Sequence, residues 1–265
     1  MNKAAPPLAS RILYQSPGLV IVNKLPGEAA GNAGPGIARL SGDLSALLGG
    51  GPVTAVNRLD VPVSGCILFA RAPDALAAAC ALFREGAVQK RYLAVAETPE
   101  NAAPLPENGL LIHWLGRDGR RNRSAVFDGP GPDRKRAALR CRVCGQGERY
   151  TFLELELISG RHHQIRAQLA AAGFRIKGDL KYGARRSDGI GVRLHAYSLA
   201  FRAPGAGLIR ASAPPPVMDR LWQACWESLE GPDLVSVHKV GYFADRPCIF
   251  SPKGCENAVF KDVCP

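Results

Sequence analysis

Residues 150–158 (YTFLELELI) set apolar side chains against acidic ones with a period of two. That alternation marks a half-buried strand of an antiparallel or mixed sheet. The run passes into Ser159-Gly160 and then into residues 162–172, whose apolar spacing predicts a helix. Other segments fall into place around this strand. Residues 11–22 (RILYQSPGLVIV) read as two short strands about a Ser-Pro-Gly turn. Residues 37–48 have near-helical apolar spacing, and residues 66–71 (CILFAR) and 91–97 (RYLAVAE) read as strands. Residues 73–85 form an Ala-rich helix with proline at its start. Strands adjoin strands with helices interspersed, so the class is α+β, a mixed and largely antiparallel central sheet flanked by helices. Residues 116–133, rich in Arg, Gly, Asp and Pro, are expected to be a mobile basic loop.

Charge narrows the partner. The chain carries a net charge of +11, and the excess is concentrated. Residues 117–142 hold nine basic and three acidic side chains, residues 158–186 hold seven and one, and the remainder is close to neutral. A localised positive field suits a polyanion, because each Lys or Arg that neutralises a phosphate releases counterions. Charge of this kind selects nucleic acid as a partner class and says nothing of chemistry. No apolar run approaches the roughly 18 residues a membrane span needs. Residues 1–10 carry one lysine and no long apolar core, so no secretory signal is read there and the expected location is the cytoplasm. The eight cysteines are expected to be reduced thiols in a chain of 265 residues with an ordinary core. Cys141-Arg142-Val143-Cys144 has the spacing of half a metal knuckle, yet no second CxxC completes a zinc site. Two small residues in a strand are expected there. Alanine is abundant up to Glu230 but scarce beyond it, so residues 231–265 are read as an extension of unknown role behind a catalytic domain at 11–230, with residues 1–10 a tail.

Three separated segments concentrate the unusual residues. Asn57-Arg58-Leu59-Asp60, followed by Val63-Ser64-Gly65, sets a carboxylate and a cation on a loop. Lys90-Arg91-Tyr92 opens a strand. Gly160-Arg161-His162-His163-Gln164-Ile165-Arg166 lies at a strand-to-helix junction, where a helix N-terminus and two arginines could hold an anion. Neighbouring histidines on a helix point about 100° apart and do not readily chelate together. His162 and His163 therefore read as hydrogen-bonding or RNA-contacting groups. From these residues alone the reading stops at an RNA-binding α+β protein with a candidate Asp–Arg site.

Order and wording add more. The segments resemble the RluA-type pseudouridine synthases, whose motif at the catalytic aspartate reads His-Arg-Leu-Asp-x-x-Thr-Ser-Gly. This chain matches it except at Asn57 and Val63. The family's Gly-Arg-x-His-Gln-Ile-Arg is similar to residues 160–166, and its Gly-x-Pro-Ile-x-Gly-Asp-x-x-Tyr-Gly to residues 173–183, with Arg175 at the proline. Asn23-Lys24 before Pro26-Gly27 and Leu194-His195-Ala196 are similar to its opening and closing elements. Gln168 stands where His is common. The resemblance spans about residues 11 to 225 and leaves no room for the small N-terminal RNA-binding domain of some members.

The resemblance implies that a uridine's glycosidic bond is broken, the base turned, and carbon 5 joined to the ribose. No cofactor and no metal is implied, since the reaction is an isomerisation. Asp60 would be the catalytic carboxylate, acting as nucleophile or as base at the sugar. A buried carboxylate tends to protonate, and Arg166 would supply the ion pair that keeps it charged. Tyr92 would stack on the flipped uracil and help move the proton from carbon 5. Arg58 would enter the space the base leaves, and Arg161, His163, Gln164 and Lys177 would contact the RNA. Ribosomal or transfer RNA is the expected partner, with no membrane and no obligate protein partner. Two other readings stay open: an inactive RNA-binding protein of this fold, suggested by the hydroxyl lost at Val63, and a zinc-dependent nucleic-acid enzyme using the histidines and cysteines.

Overall fold

The CILFAR run is buried along its length because both faces of its strand are covered. The computed structural model describes residues 5–31, 36–99, 105, 109–203 and 206–229. β4 (Ser64–Ala70) follows β1 (Ile12–Gln15), β2 (Leu19–Lys24), α1 (Leu40–Leu47) and β3 (Thr54–Ala55). Ile67 and Phe69 meet Leu40 and Leu44 of α1 on one face. Cys66 and Leu68 meet Ala79, Leu82 and Phe83 of α2 (Pro73–Arg84) on the other. The period-two split of one apolar strand between two helices is what an α+β sheet requires.

The chain continues through β5 (Gln89–Glu97), β6 (Leu110–Asp118), β7 (Arg123–Phe127), β8 (Arg134–Gln146), β9 (Tyr150–Leu157), α3 (Gln164–Ala171), β10 (Leu194–Ala203), β11 (Gly207–Ser212) and α4 (Arg220–Glu227). The described strands form one sheet in the order β1-β2-β4-β10-β5-β9-β8-β6-β7, with β3 beside β4 and β11 beside β10. Every pairing is antiparallel except β4 with β10, which run parallel over the pairs Ser64–His195 and Ala196–Gly65. The sheet is therefore mixed and largely antiparallel, as the sequence implies.

Two expectations need correction. Residues 116–133 are not a mobile loop: β6 and β7 pair from Trp114–Phe127 to Asp118–Arg123, and β6 also pairs with β8. Cross-strand pairing with a distant strand overrides a local composition that favours turns. His162 and His163 are not on a helix, because α3 begins at Gln164 and His163 has a left-handed backbone, φ 51°. Their rings stack instead, with centroids 3.9 Å apart.

The acidic face of β9 does not meet water at its centre. Glu154 is 5% exposed, accepting from the Tyr197 hydroxyl at 2.6 Å and from Arg142 Nη2 at 2.7 Å. Alongside it α4 lays Trp222 and Cys225 on Leu93, Val95 and Tyr197. Cys141 and Cys144 lie on β8, as expected, and both are free thiols. His238, Cys248, Cys255 and Cys264 lie outside the described residues.

Candidate active site

The parallel seam between β4 and β10, the neighbouring β5 and the N-terminal end of α3 converge on one pocket of about 100 Å³. That is well above the ~10–15 Å³ one water needs. Its lining includes Arg58, Asp60, Tyr92, Arg161, His163 and Arg166, so six of the eight residues singled out from the sequence meet here, with Gln164 a seventh. Lys177 does not. Its Nζ lies 3.0 Å from Asp188, and it stands outside the pocket lining.

Asp60 sits on the loop between β3 and β4, and that loop is gripped residue by residue. The Val63 N–H closes a turn on the Asp60 carbonyl at 3.0 Å. The Val61 carbonyl accepts from the Gly27 N–H at 2.8 Å and from Lys24 Nζ at 3.0 Å. Lys24 is fully buried and also donates to the Leu25 and Glu28 carbonyls, each at 2.8 Å. Burial pulls its pKa down to about 8, against the opposing charges of Glu28 and Asp60. Val192 donates to the Pro62 carbonyl at 3.1 Å. Val63, where the family has Thr, is 2% exposed and packs in a core cluster with Tyr92. The loop is thus fixed by backbone bonds and packing. Asn57, the other departure, accepts from the Leu68 N–H at 2.8 Å.

Arg166 projects from α3 and is buried. Its Nη1 donates to Asp60 Oδ2 at 2.8 Å, while Nε and Nη2 donate to the two oxygens of Asp179 at 2.7 Å each. Burial alone would favour the uncharged guanidine, but the bonds to Asp179 and then Asp60 outweigh it and raise the Arg166 pKa further. The ring of Tyr182 lies beneath the guanidinium, 5.2 Å from its carbon. His163 Nε2 approaches Asp60 Oδ2 at 3.6 Å, and its Nδ1 lies 3.1 Å from the Tyr182 hydroxyl. Desolvation pushes the His163 pKa down to about 4, although Asp60 pulls the other way, so the ring is neutral at pH 7. Among the described residues, the hydrogen bond from Arg166 and the approach of His163 are both at Oδ2, and no side-chain hydrogen bond reaches Oδ1.

Tyr92, on β5 opposite Leu155, is 7% exposed. Burial, reinforced by Asp60, raises its phenol pKa, so the hydroxyl is protonated. Gln164 turns back on its own loop: Oε1 accepts from the Arg161 N–H at 3.0 Å and from Ser159 Oγ at 2.8 Å, and Nε2 donates to the Ala138 carbonyl at 3.0 Å. Its amide shapes the turn that delivers His163 and Arg161. Arg161 Nε donates to the Arg136 carbonyl at 3.2 Å. Arg58 has no ion-pair partner among the described residues. The basic hairpin is tied to the site, since the Ser124 N–H of β7 donates to the Tyr182 hydroxyl at 2.7 Å and its own hydroxyl donates to the His162 carbonyl. Exposed Arg117, Arg120 and Arg121 crowd its end. Asp179 and Tyr182 had no role assigned from sequence, though both stand at fixed letters of the Gly-Asp-x-x-Tyr-Gly element.

Comparison with known proteins agrees with this geometry. The family model described as RNA pseudouridylate synthase matches residues 18–171. Ribosomal large subunit pseudouridine synthase C of Salmonella typhi is 31% identical over 236 residues, covering 84% of this chain and 70% of that protein. The uncharacterized RNA pseudouridine synthase YlyB of Bacillus subtilis is 29% identical over 216 residues, covering 78% and 69%. The solved structure of human RNA pseudouridylate synthase domain containing 1 superposes with a TM-score of 0.65 at 24% identity, over 81% of this chain and 86% of that one. Matched over more than half its length by the family model, and carrying the aspartate motif in a pocket, the chain belongs to the RNA pseudouridylate synthase family, in its RluA-type branch.

Proposed function

We propose that this protein isomerises a uridine of ribosomal RNA to pseudouridine in the cytoplasm, with Asp60 as the reacting carboxylate. The observation that carries the reading is the one-sided grip on Asp60: Arg166 holds Oδ2 at 2.8 Å while, among the described residues, no side-chain hydrogen bond reaches Oδ1 in a pocket that Tyr92 also lines. The bond from N1 to C1′ breaks, the freed uracil turns, and a bond forms from C5 to C1′. The proton lost from C5 is balanced by one gained at N1, so substrate and product are isomers and no cofactor is consumed. Asp60 acts at the sugar while the base is detached. Tyr92 offers a protonated phenol beside the base, able to relay a proton by giving up its own.

Ribosomal RNA is favoured over transfer RNA because relatives at 30–31% identity are named for the ribosomal large subunit. Support for RNA as the ligand comes from Arg58 and Arg161, which line the pocket, and from the exposed arginines of the β6–β7 hairpin, which is tied to the site through Ser124. No helix among the described residues is long and apolar enough to cross a membrane.

The test is conversion of uridine in large-subunit ribosomal RNA transcripts, with pseudouridine mapped by position. Asp60→Asn should make no product yet bind the RNA as well as the parent, because affinity comes from phosphate contacts elsewhere. Normal turnover by Asp60→Asn would overturn the reading. Product on transfer RNA alone would replace the substrate and keep the chemistry.

A further inference from the structure

We propose that His195 is a positioning residue for this reaction, holding the Asp60 loop in place through the hydroxyl of Ser64. The inference rests on the reading of Asp60 just given. His195 is completely buried on β10, and Ser64, the first residue of β4, is 3% exposed. Ser64 Oγ lies 2.8 Å from His195 Nδ1, and His195 Nε2 lies 2.9 Å from the Ala213 carbonyl.

The chemistry of those partners fixes every proton. A carbonyl oxygen only accepts, so Nε2 carries the hydrogen. Burial without a carboxylate neighbour keeps the ring neutral, which leaves Nδ1 a bare lone pair. Ser64 must therefore donate to Nδ1, and its hydroxyl is locked in one rotation.

The lock sits at a seam where little backbone joins the two strands. The parallel pairing of β4 with β10 extends over only Ser64–His195 and Ala196–Gly65. A parallel ladder is slightly weaker per residue than an antiparallel one, and a two-residue ladder is short. The strands also touch closely. Gly65 has φ 123°, and a Cβ there would fall 2.3 Å from the Ala196 carbonyl oxygen. The residues just before β10 reach the loop again, through the Val192 bond to Pro62. Ser64 is four residues after Asp60, and the turn between them is closed by the bond from Val63 to Asp60. Ser64 is one tie on that turn among several, and loosening it would shift Oδ1 relative to the sugar without touching any group proposed to bind RNA. A displacement of about 1 Å at a reacting group can cost on the order of 100-fold in rate.

Nitrogen NMR on the full chain labelled at histidine reads the tautomer directly. His195 should show a protonated Nε2 and an unprotonated, hydrogen-bonded Nδ1. A protonated Nδ1 overturns the inference. Kinetically, Ser64→Ala assayed at a temperature where it is fully folded should lose roughly 10- to 100-fold in kcat with KM unchanged. His195→Phe should lose as much, and the double variant no more than the worse single, since both break one link. Should Ser64→Ala not fold, Ser64→Cys, which keeps a weak donor, serves in its place with a smaller loss expected. A parent that turns over beside an unimpaired Ser64 variant removes this inference alone. A parent that converts no uridine removes the functional reading and this inference together.

Discussion

Asp179 grips Arg166 through Nε and Nη2 at 2.7 Å each, which aims Nη1 at Asp60. The planar fork of a guanidinium is rigid, so two contacts on one edge determine where the third nitrogen lies. Asp179, 1% exposed, is thus the anchor and Arg166 the arm. Lysine has one nitrogen and cannot make both contacts with this geometry.

Arg166→Lys should accordingly lower kcat by at least ~10-fold, the scale of one lost charge-assisted bond of about 1.5–3 kcal/mol. Arg166→Met should be worse in a second way, because it leaves Asp179 charged and buried, a cost of about 3–5 kcal/mol. Thermal unfolding would reveal it as a large drop in Tm absent from Arg166→Lys. Asp179→Asn tests the anchor from the other side: kcat should fall while RNA affinity stays, measured by single-turnover kinetics and a binding titration. An Asp179→Asn protein with parental kcat would show that Arg166 needs no anchor.

Much of this was legible in the sequence because it is local. The period-two run at 150–158 and the proline-led segment at 73–85 became β9 and α2 almost at the expected ends. The Asp60 motif was equally plain. The β6–β7 hairpin was not, since Arg123–Phe127 is five residues long and is stabilised by a partner strand rather than by its own pattern. Nor could a sequence show that Ser64 and His195, far apart in the chain, are one hydrogen bond, or that Lys24 is wholly buried on three carbonyls. Each of those letters stood in a quoted motif. What was hidden was their pairing, which only the strand order β2-β4-β10 brings about.

Stability should fall as the solution is acidified from about pH 6.5 towards pH 4. Burial lowers both His163 and His195 from an ordinary 6.5 to about 4. Between those values the unfolded chain binds more protons than the folded one, so stability rises with pH and is lost on acidification. Around His163, Asp60 opposes the shift while Arg166, His162 and Lys181 add to it. Burial lowers His113 and His162 as well; His163→Gln removes one group of this set, and its Tm should decline less steeply than the parent's over the same range in calorimetry. Each kcal/mol would appear as roughly 2–4 °C in a chain of this size. Equal slopes for parent and variant would contradict the assignment.

Turnover should survive exhaustive chelation. The proposed steps are carried by Asp60, Arg166 and Tyr92, and among the described residues no three His, Cys, Asp or Glu side chains gather as a metal site would need. The RNA must be refolded and checked in the same buffer, since magnesium also supports its structure. Activity lost with chelator and restored by zinc would transfer the chemistry to a metal.

The catalytic unit should end just after α4. Trp222 and Cys225 of that helix are 3% and 0% exposed, and Leu229 beyond it is 7% exposed. They cover Leu93 and Val95 of β5, the strand that carries Tyr92, and Tyr197 of β10. Asp219 caps the helix through the Trp222 N–H at 3.0 Å and also pairs with the buried Arg193. A chain ending at Glu230 keeps all of these contacts and should fold and modify the same uridine as the full chain, with a similar Tm. A chain ending at Met218 bares the apolar face of β5 and removes the Asp219 carboxylate from Arg193. Losing two or three buried side chains of this size costs about 1.5–3 kcal/mol each in burial alone. That shorter chain should aggregate or unfold well below the parent's Tm, read by light scattering and calorimetry. If instead the chain ending at Glu230 bound RNA and formed no pseudouridine, residues 231–265 would belong to the catalytic machinery and the boundary would have to move beyond them.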